Sequence, residues 1–174
     1  MTNEDTARLV REFPDFDLAT LPEIPEGFHC HAWHNDTCPV WYDVADGKDC
    51  GRVGIMMLAV DFSDHSLREF PAGPRFTLHM VQADDTSPEP ILSSDEWTTI
   101  QSGLRLIGHI RHLGYAFHPD THPREYENAY DMRLFTDEQC EQIVADMEAV
   151  GACEDIYEFG MAVWRGMGLM HDTV

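Results

Sequence analysis

The sequence has one lysine, Lys48, against ten arginines, and that lysine stands in "ADGKDCG", a turn-forming stretch. Schiff-base chemistry needs a desolvated amine, so a lone turn lysine argues against it. No CxxC pair occurs among the five cysteines, which removes the commonest zinc and thioredoxin signatures. Also missing are GxGxxG, the GxxxxGKS/T phosphate loop, GxSxG and HExxH, the main supports for dinucleotide, P-loop, α/β-hydrolase and zincin readings. There is no apolar run of the roughly 18 residues that a membrane span requires.

Basic residues are scarce as a class: 11 against 32 acidic ones, for a net charge of −21. The excess is spread along the chain with no acidic tail. A field of that sign opposes direct contact with nucleic-acid phosphates and with anionic lipid, and it favours a basic protein partner. The N-terminal "MTNEDTARLVREF" is acidic and polar where a secretory signal is basic and then apolar. Five cysteines, an odd number, then read as reduced thiols, and the expected compartment is the cytoplasm.

What is present suffices for a core. Apolar residues make up 43% of 174 residues, which places the chain among globular proteins and predicts one α+β domain over 1–174. Its first part, 1–27, reads as a short helix carrying Leu9, Val10 and Phe13, followed by a proline-rich arm, "FPDFDLATLPEIPEGF". Period-two patterning then predicts four antiparallel strands near 28–34, 38–44, 53–62 and 75–82, with the continuous apolar run "VGIMMLAVDF" as the sheet's centre, covered on both faces. Helical spacing predicts helices near 94–113, 137–150 and 154–168, packed against the sheet. The first two are opened by capping boxes, Ser93 with Glu96 and Thr136 with Gln139, and Gly114 closes the first.

Two histidine clusters are the candidate metal sites. In "HCHAWHNDTC" a two-residue turn at Asn35 and Asp36 sets His29 opposite Tyr42, His31 opposite Val40 and Trp33 opposite Cys38. That register puts His29, His31 and Cys38 on one face, the arrangement by which two imidazoles and a thiolate address one tetrahedral ion. In "HPDTHP" the alternation of His118, Asp120 and His122 along a proline-stiffened segment offers two more imidazoles and a carboxylate. Joined, the six residues would form a zinc or iron centre able to activate water, with Glu26 or Asp36 as the base. A third feature, Arg105, His109 and His112 on one face of the 94–113 helix, is read as internal ion pairing in preference to an anion site.

Two functional expectations follow. The leading one is a non-catalytic acidic interaction protein, an inhibitor, adaptor or chaperone that binds a basic partner, with nucleic-acid mimicry as its sharpest form and a homodimer as a compatible state. The alternative is a metal-dependent hydrolase or metal-binding protein that uses zinc or iron at the 29–38 and 118–122 clusters. No residue is assigned a catalytic role beyond these ligands and the two candidate bases, Glu26 and Asp36.

Overall fold

Short apolar segments of period two pair in chain order, each returning antiparallel to the one before. A computed structural model describes residues 1–43, 55–81, 90–116, 136–151, 160 and 163. Its sheet comprises β1 (His29–Cys30), β2 (Val40–Tyr42), β3 (Ile55–Val60), β4 (Phe76–Val81) and β5 (Pro90–Ser94), in that spatial order. The described helices are α1 (Asn3–Glu12), α2 (Trp97–Ala116) and α3 (Asp137–Ala149). The fold is α+β as expected. The chain divides into two compact units, Met1–Trp97 and Thr98–Val174.

In the first unit, pairing aligns Cys30, Trp41, Leu58, Leu78 and Leu92 across all five strands, so they form one apolar row on one face. Val60 with Phe76 and Met56 with Met80 extend that face on either side. All of these except Met56 and Leu92 are buried. β3 lies at the centre, where its unbroken apolar run predicts it. Its second face is covered less than expected: Met57 and Ala59 are half-buried, beside the half-buried Tyr42 and His79.

Among the described residues the sheet has five strands where four were expected. β5 escapes a period-two reading because it is short and begins with proline, a residue tolerated at the start of an edge strand where its missing N–H leaves no gap in the ladder. Its presence also undoes the expected Ser93–Glu96 capping box. Ser93 pairs with Thr77 in the ladder, and the Ser94 hydroxyl accepts from the Glu96 N–H at 3.0 Å. α2 therefore starts at Trp97, and it runs through Gly114 to Ala116 instead of closing there.

At the N-terminus, Thr2 and Asp5 form a reciprocal capping box: the Thr2 hydroxyl accepts from the Asp5 N–H at 3.1 Å, and the Asp5 carboxylate accepts from the Thr2 N–H at 2.8 Å. α1 buries Leu9. The prolines after it prevent another helix, and only a 3-10 turn at Leu18–Thr20 interrupts the arm.

In the second unit α2 buries Ile100, Leu106, Ile107 and Ile110. The Thr136–Gln139 capping box forms as expected, with Gln139 N–H to the Thr136 hydroxyl at 3.3 Å and Thr136 N–H to the Gln139 side chain at 2.9 Å. α3 is followed by Gly151 at φ +71°, a left-handed conformation that glycine adopts without a side-chain penalty. Of its apolar side chains, Ile143 is buried but Val144 is exposed. Within the expected 154–168 helix only Gly160 and Val163 are described; both are helical and buried.

Candidate functional site

The hairpin around His31 is held by its backbone. His29 lies opposite Tyr42 and the His31 N–H donates to the Val40 carbonyl at 3.0 Å, which is the register expected from a turn at Asn35 and Asp36. The turn is not the predicted one. Asp36 N–H donates to the Trp33 carbonyl at 2.8 Å, so His34 and Asn35 occupy the centre, and the Asp36 carboxylate returns to accept from the Trp33 N–H at 3.2 Å. This side-chain closure moves the turn one residue toward the N-terminus of the expected position. Residues 36–38 then bend out of strand geometry, and the alternation on which the His29, His31 and Cys38 face depends stops short of Cys38.

The consequences differ for each predicted ligand. His29 and His31 are half-buried, and the His31 ring meets Tyr42 edge-on at 5.2 Å between centroids. Cys38 is buried, and burial pushes its thiol up to about 12, so it is protonated at neutral pH. Burial also raises the Cys30 thiol and the Tyr42 phenol. Among the described residues no group of three or more His, Cys, Asp or Glu side chains is placed to hold a metal ion. His118, Asp120 and His122 lie outside the described residues. Of the two suggested bases, Glu26 is exposed, while Asp36 is raised by burial in spite of the hydrogen bond from Trp33.

The hairpin is anchored to α1 at two places. His34 meets the Glu12 carboxylate through its ring nitrogen at 3.0 Å and its backbone N–H at 3.3 Å; with Arg11, it holds the Glu12 carboxyl down at about 2. At the strand, Asp5 accepts from the Cys30 N–H and Arg8 donates to the Cys30 carbonyl, each at 2.9 Å. One turn of helix thus serves the outer edge of β1, where an open strand would expose both groups.

Every arginine whose side chain is described is engaged with the chain's own atoms. Arg8 reaches Cys30, and Arg11 pairs with Glu12 at 2.7 Å. Arg75 donates to the carbonyls of Asp61 and Thr20 and lies 4.9 Å over the Phe76 ring. Arg68, buried, donates to the carbonyls of Phe62 at 2.7 Å and Gly73 at 2.8 Å and lies 3.7 Å from Asp95. In the second unit Arg105 clamps Asp146 through two bonds at 2.6 and 3.0 Å and also reaches Ser102, the internal pairing expected for it. Carboxylates show the opposite preference: thirteen of the nineteen with described side chains are exposed, and only Asp5 and Asp146 are buried.

Sequence reasoning missed the part played by Arg68. The signal was an arginine inside a long loop, "HSLREFPAGPRF", in a chain poor in basic residues. No described helix is long and apolar enough to cross a membrane. Comparison of the chain with protein-family models, with curated proteins and with solved structures finds no match.

Proposed function

We propose that the chain is a non-catalytic interaction protein that binds a basic protein partner through its acidic surface, as an inhibitor, adaptor or chaperone does. The observation that supports this is the separation of the two kinds of charge. The described arginines are spent on backbone carbonyls and on the chain's own carboxylates, whereas most described carboxylates face solvent. Among the described residues the surface is consequently more one-sided than the chain's ratio of 32 acidic to 11 basic residues. Such a field steers a cationic partner into encounter and repels nucleic acid and anionic lipid.

The test is calorimetric titration with a synthetic arginine-rich peptide across a range of salt, beside a control protein of equal net charge. Saturable binding with defined stoichiometry, tighter than the control's and weakening steeply with salt, is the expected result. Binding no tighter than the control's overturns the reading.

A further inference from the structure

Residues 61–75 join β3 to β4 by a loop with a single 3-10 turn at His65–Leu67, yet almost every part of it is tied down. Buried Arg68 bridges the carbonyls of Phe62 and Gly73 across the loop. The Asp64 carboxylate accepts from both the N–H and the hydroxyl of Ser66, His65 Nδ1 meets the Pro71 carbonyl at 2.8 Å, and the Gly73 N–H donates to the Phe70 carbonyl at 2.8 Å. Asp95 accepts from the Arg75 N–H at the base. Long loops held by their own contacts are commonly functional.

What this scaffold presents is apolar. Phe70 is 66% exposed and Leu67 51%, while the arginine between them is turned inward. A hydrophobic side chain on a mobile loop would fold over to cover itself; here the backbone on both sides of Phe70 is fixed. Resting on the acidic-surface reading above, we infer that Leu67 and Phe70 are the anchors by which the chain docks a basic protein segment that carries an apolar face. The charge identifies the occupant: Asp64 and Glu69 within the loop are exposed and so is Asp95 beside it, while Arg68 is buried and Arg75 is directed at carbonyls. A segment offering Lys or Arg around an apolar contact complements that arrangement, whereas an anionic membrane repels it. Preorganised aromatic anchors ringed by polar groups are the pattern of an interface centre.

The probes are two synthetic peptides of equal positive charge, one built from Arg, Gly and Ser, the other with Leu and Phe along one helical face. The intact chain should bind the amphipathic peptide about tenfold more tightly, the scale of one well-seated aromatic anchor. The double variant Leu67→Ser with Phe70→Ser should lose that preference, keep its affinity for the polar peptide and keep its melting temperature, since both side chains are exposed. Equal binding of both peptides by the intact chain overturns the inference and leaves the acidic-surface reading standing. Failure of both peptides to bind better than to the charge-matched control overturns that reading instead. A preference that survives in the double variant but disappears in Trp33→Ser overturns the inference in favour of the hairpin turn. Loss of a concentration-dependent dimer in the double variant overturns it in favour of a second copy of the chain.

Discussion

The Asp5 carboxylate accepts the backbone N–H of Cys30 at 2.9 Å, so a helix side chain supplies the hydrogen bond that a sixth strand would. One turn further along α1, Arg8 donates to the carbonyl of the same residue. Removing Asp5 would strand a buried N–H and also dismantle the capping box with Thr2. Asp5→Ala is expected to destabilise the chain by about 2 kcal/mol, measured by urea unfolding. Thr2→Ala, which removes only the cap hydroxyl, should lower stability by about 1 kcal/mol.

The ion pair between Arg105 and Asp146 is lopsided: the arginine side chain is 47% exposed and the carboxylate 1%. Removal of the arginine leaves a buried charge held, among the described residues, by Gln142 and Ser102, whereas removal of the carboxylate leaves a guanidinium that water can reach. Arg105→Ala should therefore cost roughly 3 kcal/mol and Asp146→Asn roughly 1 kcal/mol, an order that denaturant unfolding of the two variants checks.

Acid sensitivity follows from the same groups. Burial pushes the carboxyls of Asp5 and Asp146 up, but hydrogen bonds pull them further down, from Thr2 and Cys30 in the first case and from Arg105, Ser102 and Gln142 in the second. Both end below their ordinary value. A carboxyl depressed in the folded state adds stability above its unfolded pKa, and the gain is lost as pH falls through the folded pKa. Half-buried Glu12, held at about 2, behaves in the same sense. The melting temperature should fall as pH drops below the ordinary carboxylate range. Asp5→Asn and Asp146→Asn should each show a shallower fall than the wild-type chain.

Much of the first unit was legible because residue order leaves a mark: the alternating apolar residues of β4 and the unbroken run of β3 identify strands from pattern alone. The hairpin register was legible too, although it was read from an Asn35–Asp36 turn that does not form: His29 pairs with Tyr42 all the same. The turn was not, because an aspartate that bonds back to Trp33 competes with the Asn35–Asp36 turn and no pattern ranks the two. β5 was hidden by Pro90 and by serines that read equally well as a helix cap. The role of Arg68 was obscured for a different reason: although an arginine in that loop stands out, its partners are backbone carbonyls, which every residue possesses and no sequence marks.

Metal content is the measurement that separates the two functional readings. Zinc or iron at the hairpin would draw on Cys38 as a thiolate, and burial that pushes its thiol up to about 12 opposes that ionisation until a metal displaces the proton. His29 and His31 would then have to bind with ligands beyond the hairpin. On the interaction reading, protein purified without a tag should contain zinc and iron far below one per chain by plasma mass spectrometry, and a chelator should leave its melting temperature unchanged. His31→Ala loses the edge-on contact with Tyr42, worth about 1 kcal/mol. Native Cys30 and Cys38 should also resist iodoacetamide near neutral pH and react once the chain is unfolded, as mass spectrometry of the labelled peptides would show. Stoichiometric metal, lost in His31→Ala together with a large fall in melting temperature, would instead establish the histidine strand as a ligand strand and displace the interaction reading.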